Sequence, residues 1–124
     1  MTVYAIAQLT ISDRATYDRY QAKFMGVMKQ FLGRVLAADE NPLVIEGEWD
    51  MEKVVLLSFP DEKAFRDWAE SPEYQEISKD RKSGSDAVVL LVKGIGGRFV
   101  LWASLRPSAD SWVDWVTLGG NGWT

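Results

Sequence analysis

From Val3 to Ile11 the side chains alternate. Val3, Ala5, Ala7, Leu9 and Ile11 share one face, while Tyr4, Ile6, Gln8 and Thr10 share the other, which is the period of two that predicts a strand. The period then changes. Ser12-Asp13 offers an N-cap, and Tyr17, Tyr20, Phe24, Val27, Met28 and Phe31 recur at three- and four-residue spacing, predicting an amphipathic helix from Asp13 to Leu32 that Gly33 stops. Arg34 to Asp39 and Leu43 to Trp49 read as short strands around Glu40-Asn41-Pro42, joined either as a hairpin or as one bent strand. Lys53 to Phe59 is a strongly apolar strand. Pro60-Asp61 opens a helix with Ala64, Phe65, Trp68 and Ala69 on its inner face, and Ser71-Pro72 restarts it, since Ser caps well and Pro suits the first helical position. Ser83-Gly84-Ser85 ends that helix. Ala87 to Lys93 is a last strand, apolar on both faces and so expected in the middle of the sheet.

Strand, helix, strands, helix, strand is the order of a ferredoxin-like α+β unit, an antiparallel sheet with two helices on one face. Yet Val54 and Leu56 oppose Val55, Leu57 and Phe59, and Val88, Leu90 and Val92 oppose Val89 and Leu91, so both faces are apolar. The uncovered face needs a cover. Packing sheet to sheet against a second copy supplies one by symmetry and encloses a cavity, giving a homodimeric α+β barrel; the rival cover is the tail folding back. Four of the six tryptophans fall in that tail, which divides the chain into a barrel domain, 1–97, and a Trp-rich extension, 98–124. Within the extension Phe99 to Leu105 reads as a strand and Ser108 to Leu118 as a short helix. The Gly94-Ile95-Gly96-Gly97 stretch lacks the strand–helix setting of a phosphate loop and reads as a hinge.

Composition narrows the chemistry. The chain of 124 residues has neither cysteine nor histidine, which removes thiol nucleophiles, an imidazole base and the usual zinc and haem ligands. No cofactor is expected, and a site must be built from carboxylates, Arg, Lys, Tyr, Ser or Trp. A net charge of −4 with scattered Lys and Arg argues against a nucleic-acid surface. The first residues carry no basic leader, and no apolar run approaches the ~20 residues that span a bilayer, so a cytoplasmic protein that does not engage membranes is expected.

Glu46-Gly47-Glu48-Trp49, Ser58-Phe59-Pro60, Ala64, Trp68, Ser71-Pro72-Glu73-Tyr74-Gln75, Arg81 and Lys93-Gly94 occur in an order and spacing that resembles the domain of unknown function 1330 family, over roughly Val3 to Gly94. The resemblance implies membership of the dimeric α+β barrel superfamily, whose members include cofactor-free monooxygenases, isomerases, haem-binding enzymes and stress-related proteins. It brings no settled activity, and the tail has no counterpart in the family pattern.

Glu46 and Glu48 share one face of the expected strand, where a partly buried carboxylate would serve as a base; the alternative is a solvated face or an ion pair. Arg81 follows Tyr74 by about two helical turns on the same side and suits bidentate capture of a carboxylate, or a structural pair with Glu46. Tyr17, Tyr20, Trp49, Trp68 and Tyr74 converge near one sheet end, mostly as core, with Trp49 walling a pocket mouth. The resulting expectation is an inter-sheet pocket for a small, anionic or aromatic molecule. Glu46 would be the base and Arg81 the charge stabiliser in cofactor-independent oxygenase or isomerase chemistry, with Tyr17, Trp49 and Tyr74 contacting the ligand. The competing reading is a non-enzymatic stress-response or interaction module whose interior is filled.

Overall fold

The computed structural model describes residues 1–95, and the expected strand and helix of the extension lie outside them. Four strands, β1 (Val3–Ile11), β2 (Arg34–Asp39), β3 (Lys53–Phe59) and β4 (Ser85–Lys93), form an antiparallel sheet in the order β2-β3-β1-β4. Helices α1 (Arg14–Met28), α2 (Glu62–Ala69) and α3 (Pro72–Gly84) connect them. This is the ferredoxin-like arrangement, with the restart at Ser71-Pro72 giving two separate helices.

Local chemistry explains the boundaries. Asp13 caps α1 by accepting from Thr16 N–H at 3.2 Å and from the Thr16 hydroxyl at 2.8 Å, and Asp61 caps α2 by accepting from Ala64 N–H at 2.8 Å. Ser71 has two partners: its hydroxyl donates to the Trp68 carbonyl at 2.7 Å and accepts from Tyr74 N–H at 3.1 Å. One side chain thus closes α2 and opens α3. The Cα register pairs Val3 with Phe59, Ala5 with Leu57, Ala7 with Val55 and Leu9 with Lys53, so the inward residues of β1 and β3 lie side by side beneath the helices. Trp68 centres their packing. Its ring lies 5.4 Å from Phe59, 6.0 Å from Phe65, 6.1 Å from Phe24 and 4.1 Å from Tyr74, centroid to centroid.

Three expectations are corrected. First, α1 ends at Met28 rather than Leu32, because Gln30 N–H donates to the Val27 carbonyl and Phe31 N–H to the Met28 carbonyl, tightening the chain into turns. Second, Leu43 to Trp49 is not a strand and forms neither a hairpin nor a bent continuation of β2. Pro42 has no N–H to give, and Gly47 sits at φ +84°, in the left-handed region that a ladder does not accommodate. Third, the last strand is an edge, paired with β1 alone. Its two-sided apolar character arises because one side meets the helices and the other belongs to the helix-free face. There Val88, Leu90 and Val92 are 50%, 47% and 41% exposed, and Ile6, Val54 and Leu56 lie beside them, half-buried.

Gly84 ties α3 to the start of α1: its carbonyl accepts from Ser12 N–H at 2.9 Å and Asp13 N–H at 3.1 Å. A Cβ at this position would lie 2.8 Å from Tyr17 N and 3.0 Å from the Asp13 carbonyl oxygen, both backbone atoms that cannot move aside alone. Gly84→Ala is therefore expected to lower stability by about 1–3 kcal/mol. Gly26→Ala, in α1 with open space around the added carbon, should raise it by ~0.5–1 kcal/mol. Urea denaturation of the two variants checks both signs.

Candidate functional site

Between the helices and the sheet lies a cavity of about 390 Å³. Its floor is made of small and medium side chains, Ala5 and Ala7 of β1, Ala38 of β2, and Val55 and Leu57 of β3; its walls come from α1, α2 and α3. The register divides it into two ends. Toward Phe59 the wall is aromatic, with Phe24, Phe65 and Trp68. Toward Leu9 it is polar, with Tyr17, Gln21, Lys53 and Arg81.

The aromatic end is fixed by the Trp68 cluster. Between the ends, the Tyr20 and Tyr74 hydroxyls lie 3.0 Å apart in a buried hydrogen bond. Burial, then the neighbouring Tyr74, holds the Tyr20 phenol well above its ordinary range. Tyr17, on the same face of α1, has its pKa pushed up from 10.0 to about 12, first by burial and then by the Glu40 charge. Both phenols are therefore hydrogen-bond donors at neutral pH.

Lys53 defines the polar end. It shares the inward parity of Val55, Leu57 and Phe59 and is 5% exposed. Its Nζ donates to Gln21 Oε1 at 2.8 Å, lies 3.7 Å from Glu40 Oε2, and stands 4.9 Å from the centre of the Tyr17 ring. Glu40 is already engaged by Arg14, whose two terminal nitrogens donate to its two oxygens at 2.7 and 3.0 Å. Arg81 completes this end; its Nε is buried and has no hydrogen-bond partner among the described residues.

The residues singled out from the sequence separate accordingly. Tyr17, Tyr74 and Arg81 come together on the cavity wall. Trp49 does not; its Nε1 donates at 2.9 Å to Oε1 of Gln8, whose position on β1 belongs to the helix-free face. Glu46 is exposed on the segment between β2 and β3 and does not line the cavity, because the strand meant to direct it inward does not form. The cavity within this chain thus lies on the helix side of the sheet, while the pocket expected between paired sheets would be built by two chains. Lys53, Tyr20 and Gln21 are additions to the site. Lys53 was detectable from its parity within an apolar strand, and Tyr20 from its place on the inner stripe of α1; Gln21 gave no signal. Among the described residues, no cluster of three or more Asp or Glu is gathered that could hold a metal ion, and no helix is long and apolar enough to cross a membrane.

The raised phenol of Tyr17 fixes a sign. Folding favours its neutral form, so that contribution to stability is complete below pH 10 and is lost between pH 10 and about 12 as the unfolded chain ionises first. Tyr17→Phe should show a shallower loss than the parent across that window, read from urea midpoints at stepped pH. Parallel profiles would contradict the burial of an ionisable phenol here.

Comparison with solved structures places this fold among known ones. The RPA0582 protein of unknown function from Rhodopseudomonas palustris aligns with a TM-score of 0.66 and 17% identity over 76% of this chain and 82% of that one. A dimeric ferredoxin-like protein of unknown function from Jannaschia sp. CCS1 aligns at 0.63 and 15%, over 76% and 100%. SnoaB, a cofactor-independent oxygenase from Streptomyces nogalater, aligns at 0.56 and 17%, over 75% and 92%. At these identities the likeness is one of fold. No curated protein matches in sequence. The sequence does match the family described as Domain of unknown function (DUF1330) over residues 2–95, from before β1 to just past β4, and the chain belongs to that family.

Proposed function

We propose that this protein is a homodimeric α+β barrel that binds a small molecule with an aromatic or apolar body and an anionic head, in the cavity between its helices and its sheet. The observation that carries the reading is the coexistence, in one chamber of about 390 Å³, of an aromatic end and an end bearing Lys53, Arg81 and the Tyr17 phenol. That volume suits a small ligand. The buried, unpartnered guanidinium N–H of Arg81 is costly unless a hydrogen-bond acceptor, best a negative one, answers it. The open interior favours this reading over a filled interaction module.

Dimer formation through the helix-free face is supported by its exposed Val88, Leu90 and Val92 and by the dimeric description of the Jannaschia neighbour. If the site is catalytic, the oxygenase description of SnoaB favours cofactor-independent oxygenation, with isomerisation as the related case, and Arg81 stabilising charge that develops on the bound molecule. Glu46 takes no part in this version.

Calorimetric titration with 2-naphthoate tests the ligand. Binding by the parent is expected, and Arg81→Met should weaken it roughly ten- to hundredfold, the range of a lost charge-assisted hydrogen bond, while leaving the urea midpoint nearly unchanged. Equal losses of binding and stability would assign Arg81 a structural role, and failure of the parent to bind would remove the anionic aromatic class. Sedimentation velocity of the parent should give a dimer, and Leu90→Asp a monomer. A parent that sediments as a monomer would end the barrel assembly.

A further inference from the structure

The polar end of the cavity holds an amine in an unusual setting. Lys53 rises from the apolar floor, opposite the fully buried Leu9, and its one close acceptor is the neutral amide oxygen of Gln21 at 2.8 Å. An ammonium has three protons to place. The nearest carboxylate, Glu40, stands off at 3.7 Å with both its oxygens taken by Arg14. The charged groups facing Lys53 are Glu40, Arg14 and, farther away, Asp18, which itself pairs with Arg14 at 3.0 Å. The other six lysines, Lys23, Lys29, Lys63, Lys79, Lys82 and Lys93, are exposed.

We propose that Lys53 is a nucleophilic amine that forms an imine with an aldehyde or ketone bound in the helix–sheet cavity. This rests on the reading of that cavity as a ligand site and names the chemical class it takes. A buried amine whose nearest carboxylate stands off at 3.7 Å, with both oxygens held by Arg14, gives up its proton more readily than a solvated lysine does. Burial, the largest influence on it, holds its pKa below the ordinary lysine value, and the Arg14 charge acts in the same direction while Glu40 opposes them.

The step balances without any further reagent. The Nζ lone pair attacks the carbonyl carbon, and one amine proton passes to the carbonyl oxygen to give the carbinolamine. The C–O bond then breaks, the second amine proton leaves with that oxygen as water, and the C=N bond forms. An aromatic carbonyl compound would lay its ring toward Phe24, Phe65 and Trp68.

Reductive trapping tests this on the intact chain. The protein is incubated near neutral pH with 2-naphthaldehyde and sodium cyanoborohydride, digested, and mapped by mass spectrometry, with and without excess 2-naphthoate. A naphthylmethyl group on Lys53, appearing ahead of the six exposed lysines and suppressed by naphthoate, is the expected result. Lys53→Arg should keep the fold, checked by circular dichroism, and lose the selective product. If naphthoate binds but Lys53 is modified no faster than the exposed lysines, the imine is overturned while the ligand site stands. If naphthoate does not bind and Lys53 is unmodified, both fail. Modification of Lys53 that naphthoate does not slow would place the reaction outside the cavity and overturn the proposal.

Discussion

The site depends on a mismatch of side-chain size across one interface. Beneath the helices the central strand offers Ala5 and Ala7, with Ala38 of β2 on the far side of Val55, and these are too small to fill the space against large rings. The helices cannot descend to close it because they rest on two supports at opposite ends of β3. At one end the Trp68 ring sits on Phe59, 5.4 Å between centres; at the other the Tyr17 ring sits over Lys53, 4.9 Å from its amine. Six residues of strand put these supports roughly 20 Å apart. Close packing is the rule in protein interiors, and this layout leaves about 390 Å³ unfilled beneath the helices.

The two faces of the sheet carry different side chains. The inward face meets the Trp68 cluster and the phenol pair and carries the buried amine of Lys53. The outward face carries Ile6, Leu56, Val88, Leu90 and Val92, plain aliphatic groups suited to sheet-on-sheet contact. In the proposed reading, ligand binding and association are separated by the thickness of one strand layer. A group on β1 or β3 serves one or the other according to parity, as Leu9 and Gln8 illustrate: one is buried under the helices, the other receives the Trp49 indole N–H.

Much of the frame was legible in the sequence because it rests on periodicity and capping. The alternation of β1, the inner stripe of α1, the Asp61 cap and the Ser71-Pro72 junction each reappear in the structure. The central errors came from alternation read where no ladder forms. Glu46 and Glu48 have strand spacing, but Pro42 and the left-handed Gly47 prevent pairing, so the carboxylate given the role of base lies in the open. The cavity on the helix side was illegible for a different reason. Polarity patterns report which face is buried and say nothing of volume, so Ala5 and Ala7 read as part of a fully apolar face when their smallness was the informative property. Lys53 does begin β3, as the apolar run predicts, and its parity with Val55, Leu57 and Phe59 marks it as inward.

The location of the ligand decides whether this physical picture is right. Intermolecular nuclear Overhauser effects between 2-naphthoate and the methyl groups of the protein report it directly, because the two faces carry different residues. Contacts to Ala7, Val55 and Leu57 are expected, with none to Ile6, Leu56 or Leu90. Contacts confined to Ile6, Leu56 and Leu90 would contradict the helix-side site and restore a chamber between paired sheets.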